Sequence, residues 1–259
     1  MAEPKVFSSD GVDIAFLDTG GGDGKLPVLL IHGFASNFAT NWVATGWVDQ
    51  LAKSGRRVIA FDNRGHGGSA KLYELTDYGA PLMAEDARRL LDHLGVARAH
   101  VVGYSMGSRI AAVLALAHPE RVASLVFGGL GINMVRGMAG TGPIAHALEA
   151  ASIDDVTNPT ARTFRAFAEQ TKSDLKALAA CIRSARAKLS AEMVAGIAQP
   201  TLIVVGENDV IAGSAEALAE LIPNARALTL PGREHLKAVG DKTFKAEAIA
   251  FFDAVEAKA

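Results

Sequence analysis

The stretch Val101-Val102-Gly103-Tyr104-Ser105-Met106-Gly107-Ser108-Arg109-Ile110 constrains this chain more than any other. Ala99 to Val102 is a short apolar run and reads as a buried strand. Met106 to Ala117 is rich in Ala and Leu and reads as a helix. Between them Gly103, Ser105 and Gly107 form a Gly-x-Ser-x-Gly pattern. A strand that becomes a helix within so few residues must turn sharply. The residue at the apex takes a strained backbone conformation, and its neighbours two positions away come too close to other backbone for larger side chains. Such a turn lifts the Ser105 hydroxyl above the sheet. It also leaves the Met106 N–H at the helix N-terminus, where it can donate to a developing oxyanion. This is the geometry of a nucleophile elbow.

The remainder of the chain supplies the setting. At 259 residues, it is one large α/β domain or a domain with an insertion. Apolar residues make up 49% of it, enough for a sizeable core. The formal net charge of -2 gives no reason to expect nucleic acid or another polyanion as partner. Cys181 is the only cysteine, so no intrachain disulfide can form. The N-terminal residues show no basic-then-apolar signal pattern, and no apolar run near the elbow is long enough to span a bilayer. A cytoplasmic protein is the expectation.

In chain order, Val12 to Leu17 alternates loosely and predicts an early antiparallel strand. Thr19 to Gly24 is a glycine-rich turn with no Lys-Ser/Thr pair after it, which makes it a poor match to a phosphate cradle. Val28 to Ile31 and Val58 to Phe61 are continuous apolar runs, the pattern of strands buried on both faces. Asn41 to Leu51 predicts a helix in which Trp42 and Trp47 pack. Pro81 to Leu94 predicts a helix with one apolar stripe, Met83, Ala87, Leu90, Leu91 and Leu94, stopped by Gly95. Val122 to Phe127, Thr201 to Val205 and Arg226 to Leu230 are further strands. Ala215 to Leu221 and Lys242 to Val255 are helices. No buried-strand run occurs between Phe127 and Thr201, while Asn158 to Leu189 is helical in pattern. That break in alternation marks an inserted helical region.

A serine hydroxyl needs a base to take its proton, and the base needs an orienting acid. His235 follows the last strand. Asp209 follows the strand before it, with Glu207 as a rival two residues away. His32-Gly33-Phe34 leaves the end of a central strand, where the Phe34 N–H is placed to be a second oxyanion donor beside that of Met106. His32 and His66 read better as loop braces than as proton carriers. Asp62 and Arg64 lie in the glycine-rich turn Asp62 to Ser69 and read as a hydrogen-bonded brace. Cys181 reads as a small buried residue.

Ser105, Asp209 and His235 occur in the order Ser, Asp, His, and at this point the chain resembles the α/β-hydrolase family. The resemblance rests on His32-Gly33-Phe34, Asp62-x-Arg64-Gly65-x-Gly67-x-Ser69, Gly103-x-Ser105-x-Gly107, Gly206-x-x-Asp209 and the late His235, and it covers nearly the whole chain. It implies a mostly parallel eight-stranded α/β sheet with helices on both faces, a small helical cap inserted after the sixth strand, and no cofactor or metal. The core would then be residues 1–130 and 197–259, and the cap 131–196. By likeness, Ser105 is the nucleophile, His235 the base and Asp209 the acid, favoured over Glu207 because the family places its acid there. Some relatives carry the acid after the sixth strand, but no Asp or Glu occurs between Arg121 and Leu148. Glu234 departs from the glycine that many relatives place before the histidine, and it stands close enough to perturb His235.

The implied reaction is hydrolysis of a small to medium carboxylic ester through an acyl-enzyme. A lactonase, a carbon–carbon bond hydrolase, a cofactor-free perhydrolase and a non-catalytic ligand-binding member are the alternatives. The partner is an ester-like small molecule. Met134, Val135, Met138, Ile144, Leu148, Phe164 and Phe167 are available to line a pocket, with the two Phe residues better placed to hold the cap to the core. Arg136, Arg162, Arg165, Arg183 and Arg186 could meet an acidic substrate, although solvent is the better partner for most.

Overall fold

The computed structural model describes residues 4–137, 141–184 and 188–258. Eight strands form one sheet: β1 (Lys5–Ser9), β2 (Val12–Asp18), β3 (Val28–Ile31), β4 (Val58–Phe61), β5 (Ala99–Tyr104), β6 (Val122–Gly128), β7 (Thr201–Gly206) and β8 (Ala225–Leu230). Their order is β1-β2-β4-β3-β5-β6-β7-β8. From β4 to β8 all neighbours are parallel, and β1 and β2 add an antiparallel edge.

Every residue of β3, β4, β5, β6 and β7 is buried, which explains their uninterrupted apolar runs. Successive side chains point to opposite faces. Leu29 and Ile31 therefore join one core cluster, with the helices Ala80–His93 and Met106–Ala117, while Val28 and Leu30 join the other, with Trp47–Lys53 and Lys242–Glu256. The sheet is covered on both faces.

β1 has no counterpart among the strands read from the sequence. Its segment, Lys-Val-Phe-Ser-Ser, is half polar and buries only Phe7 and Ser9. It is held as an edge strand by pairing with β2 across a turn in which Asp10 and Gly11 have φ values of 54° and 83°. Positive φ at both turn residues matches the twist of a two-residue hairpin.

The helix expected over Asn41 to Leu51 is two pieces. A π-helical turn, Ala39–Val43, ends before Gly46, and an α-helix, Trp47–Lys53, begins after it. Gly46 has a φ of 79°, a left-handed conformation that no regular helix passes through. The break lets Trp42 and Trp47 meet edge to face, at 5.6 Å between ring centroids. Both are fully buried, and the Trp47 indole N–H donates to Val239 O at 2.7 Å. Asn158 to Leu189 is likewise interrupted. Helices Pro159–Gln170 and Leu175–Arg183 are separated at Lys172, whose φ is 53°. These two, with Asn133–Arg136, Thr141–Glu149 and Ala191–Ala195, lie between β6 and β7. Among the described residues no helix is long and apolar enough to cross a membrane.

Candidate active site

Ser105 links β5 to the helix Met106–Ala117, with φ 54° and ψ −111°. A Cβ on Gly103 would lie 2.3 Å from Gly107 O, and one on Gly107 would lie 2.0 Å from Ile31 O. Neither contact is possible, so both flanking positions require glycine. The turn is tied to the next strand: the Ser105 N–H donates to Gly128 O at 2.7 Å, and the Ser108 hydroxyl reaches Gly103 O at 2.9 Å and Gly128 O at 3.0 Å. Met106 is the first residue of its helix, where a backbone N–H has no intrahelical acceptor.

The loops after β7 and β8 converge on this serine. His235 Nε2 lies 3.2 Å from Ser105 Oγ, and His235 Nδ1 lies 2.7 Å from Asp209 Oδ2. The other carboxylate oxygen of Asp209 accepts the Ile211 and Ala212 N–H groups at 2.9 and 3.0 Å. Three hydrogen bonds thus fix the orientation of the carboxylate. The histidine backbone is anchored too, because the buried Tyr104 hydroxyl donates to His235 O. Burial pushes that phenol's pKa well up and keeps it a donor.

The competing acid is elsewhere. Glu207 Oε2 accepts the Gly232 N–H at 2.7 Å and so pins the turn after β8, away from the imidazole. Glu234 is exposed and pairs with Lys237 at 3.2 Å.

His32 is fully buried. Its Nε2 accepts the Asn63 N–H at 2.9 Å, so the proton sits on Nδ1, which donates to Gly33 O at 2.7 Å. Desolvation lowers its pKa to about 4, and the ring is a neutral brace between the ends of β3 and β4. His66 is also fully buried, against the rings of His32 and Phe34. Asp62 and Arg64 do brace the loops, but through other partners than each other. Asp62 accepts the Phe38 and Gly68 N–H groups, each at 2.7 Å. Arg64 grips Asp86 with two bonds of 2.7 and 2.8 Å. Phe34, on the loop so braced, lines the cavity at Ser105.

Besides a small recess of about 30 Å³ lined by Ser105, Met106, Arg109 and Leu130, that cavity has two main chambers. One, of about 180 Å³, is lined by Gly33, Phe34, Tyr104 and Ser105 and reaches Ser36, Thr40, Asn41 and Thr45. The other, of about 330 Å³, is walled by Thr160, Thr163, Val210 and Ile211. Phe164, Phe167, His235 and Leu236 border both. The two Phe residues thus face the cavity. Met134, Ile144 and Leu148, which the sequence offered as lining, are instead packed into the core. Met138 lies outside the described residues.

None of the inserted arginines lines either chamber among the described residues. Arg162 pairs with Asp154 at 3.1 Å, Arg165 with Glu169 at 2.7 Å, and Arg183 with Glu149. Arg136 is exposed, and Arg186 lies outside the described residues.

The polar wall of Ser36, Thr40, Asn41 and Thr45 was not foreseen. Asn41 and Thr45 fall in a segment read as helix, where they look like its solvent face, and Ser36 and Thr40 precede it. The Tyr104 anchor carried no sequence signal either, since its acceptor is a backbone carbonyl 131 positions away.

Residues 27–135 match a family model described as alpha/beta hydrolase fold. The chain is 32% identical to the dihydrolipoyllysine-residue acetyltransferase component of the acetoin cleaving system of Pseudomonas putida, over 83% of this chain and 60% of that protein. It is 38% identical to a 2-hydroxy-6-oxononadienedioate/2-hydroxy-6-oxononatrienedioate hydrolase of Burkholderia vietnamiensis, over 47% of this chain and 42% of the other. It therefore spans less than two thirds of the length of these curated relatives. Among solved structures, MGS-M2, an alpha/beta hydrolase enzyme from a Medee basin deep-sea metagenome library, superposes with a TM-score of 0.80 at 22% identity, covering 96% of this chain and 97% of that one.

Proposed function

Because the chain belongs to the α/β-hydrolase fold family, we propose that it is a serine hydrolase that cleaves small to medium neutral carboxylic esters through an acyl-enzyme. The observation that carries the reading is the pair of contacts made by one imidazole, 3.2 Å to Ser105 Oγ and 2.7 Å to Asp209 Oδ2.

In this reading, Asp209 holds the proton of His235 on Nδ1, which leaves Nε2 free to accept. Ser105 Oγ attacks the acyl carbon as its proton passes to Nε2. The carbonyl oxygen becomes an oxyanion between the Phe34 and Met106 N–H groups, a stabilisation of about 3 kcal/mol per donor in comparable sites. The imidazolium then protonates the departing alkoxide. Water enters, gives its proton to Nε2 and attacks the acyl carbon, and Ser105 leaves with that proton returned. The chamber lined by Ser105, Gly33 and Phe34 takes the acyl chain. The larger chamber, lined by His235 without Ser105, takes the leaving group, which departs on the side of the proton donor. Its Phe164, Phe167, Val210, Ile211 and Leu236 suit an apolar alcohol.

The neutrality of the substrate rests on charge. Neither chamber is lined by Lys or Arg among the described residues. Arg109, which borders the small recess beside Ser105, has its guanidinium bonded to Met134 O at 2.9 Å and Asn133 O at 3.3 Å. A carboxylate buried in either chamber would therefore lack a cationic partner there. This favours a plain ester over a dienedioate of the kind named for the Burkholderia relative. The test is labelling by a fluorophosphonate together with turnover of 4-nitrophenyl esters. The reading requires an adduct on Ser105 and loss of both label and turnover in Ser105→Ala. An unlabelled wild type, or a Ser105→Ala protein of undiminished turnover, would sink it.

A further inference from the structure

One wall of the chamber beside Ser105 holds hydrogen-bonding groups that the protein leaves unused. Ser36, Thr40 and Asn41 come from the single stretch after β3. Asn41 is 6% exposed. Its Oδ1 accepts the Gly33 N–H at 3.4 Å, but its buried Nδ2 has no acceptor among the described residues. Thr40 is half-buried; its backbone N–H is held by Asn37 Oδ1 at 2.8 Å, and its hydroxyl has no partner among the described residues. The Ser36 hydroxyl reaches only Asn37 O, at 3.5 Å, the outer limit of a hydrogen bond. Thr45 differs, since its hydroxyl is spent on Asn41 O at 2.6 Å.

Buried polar groups are ordinarily satisfied, and each exception calls for a reason. Here the exception is the Asn41 amide, and the Thr40 hydroxyl next to it is also without a partner among the described residues, in the wall of one cavity beside the serine. A bound group that accepts hydrogen bonds would complete them. That group is neutral, since no Lys or Arg lines the chamber among the described residues. A plain alkyl chain would leave the Thr40 hydroxyl unpaired and cover it from water as well.

We propose that this chamber is a subsite for a neutral, oxygen-bearing acyl chain, such as an alkoxyacyl or ketoacyl group, recognised by the Thr40 hydroxyl and the Asn41 amide. The proposal rests on the reading of Ser105 as the nucleophile. It adds a preference that the fold does not supply. Between two acyl chains of equal length, the one with an ether oxygen in place of a methylene is favoured.

The experiment compares two pairs of 4-nitrophenyl esters, methoxyacetate against butanoate and 3-methoxypropanoate against pentanoate. Each pair differs by one oxygen for one CH2, at two depths. The kcat/KM ratio within each pair is measured for wild type, Thr40→Val and Asn41→Leu. Differences in intrinsic ester reactivity cancel when the ratios are compared between proteins. Thr40→Val keeps the side-chain shape at a half-buried position, so it remains informative if Asn41→Leu fails to fold. The expected result is a fall of about fivefold or more in the oxygen-to-methylene ratio for at least one pair in at least one folded variant. If these residues only brace the loop, both members of each pair lose equally, and ratios that fall by less than fivefold in every case overturn the subsite. A wild type that takes no fluorophosphonate on Ser105 would instead overturn the nucleophile reading, so the two failures are told apart.

Discussion

His235 Nδ1 and Asp209 Oδ2 stand 2.7 Å apart, although they belong to the separate connections that follow β8 and β7 and are 26 positions distant in the chain. Glu207, only two residues from Asp209, makes its bond to the Gly232 N–H instead. The two carboxylates therefore answer differently to loss of charge. Asp209→Asn is expected to lower kcat by about 10³- to 10⁴-fold, because an amide no longer holds the imidazole in the accepting tautomer. Glu207→Gln is expected to keep kcat/KM within about twofold, as its contact at the exposed turn is a weak contributor. Ester turnover by both variants at pH 8 decides this. A large loss in Glu207→Gln with little in Asp209→Asn would reverse the assignment.

The glycine after the serine is a packing requirement. A Cβ at position 107 would sit 2.0 Å from Ile31 O, in the rigid centre of the sheet. Gly107→Ala must push the helix Met106–Ala117 away from β3. We expect a loss of about 3 kcal/mol or more, read as a fall in Tm of about 6 °C or more, with slower labelling of Ser105 by fluorophosphonate. An unchanged melting temperature would contradict the contact.

Arg64 and Asp86 form a buried pair, with side chains only 7% and 0% exposed. Among the described residues, Arg64→Met leaves the Asp86 carboxylate with one remaining partner, the Ser9 hydroxyl at 2.6 Å. Removing one member of such a pair costs about 3–5 kcal/mol, because the other charge stays buried. Urea unfolding at pH 7 measures it. Arg64→Met combined with Asp86→Leu should recover part of the loss.

Acid acts on the two sides of this loop brace with opposite sign. His32 has its pKa lowered to about 4 by desolvation, so the stability it contributes is full above pH 6.5 and is lost as pH falls toward 4. Asp62 has its carboxyl raised to about 6, again mainly by desolvation, so its contribution is full below about pH 4 and is lost as pH rises through 6. The two partly cancel between pH 6.5 and 4. Asp62→Asn removes the opposing contribution. Its Tm should therefore fall more steeply than that of the wild type between pH 7 and pH 5, whatever its starting value. A parallel or shallower decline would contradict these signs. The His32 ring resonances should also show no titration above pH 5.

Much of the fold was legible because burial on both faces leaves a plain trace. The runs Val28 to Ile31, Val58 to Phe61 and Val122 to Phe127 can be little else than central strands, and the helix Met106–Ala117 was bounded correctly by its composition. Where a segment is only half buried, the trace fades. β1 was missed because its pairing with β2, rather than its own five residues, holds it in place. The helix expected over Asn41 to Leu51 failed at Gly46, a residue that a helix tolerates at modest cost, so nothing local announced a left-handed φ there.

The chain by itself determined the order of elements, the two glycines of the turn at Ser105, and a short list of acids and histidines at strand ends. These follow from local sterics and from the period of apolar residues, which neighbours in sequence express. Tertiary structure alone decided which carboxylate meets the imidazole, which phenol anchors it, that Arg64 seeks Asp86 rather than Asp62, and that Asn41 stands in a cavity wall. Those choices depend on which loops the sheet order brings side by side, and distances across a sheet are set by packing among residues far apart in the chain.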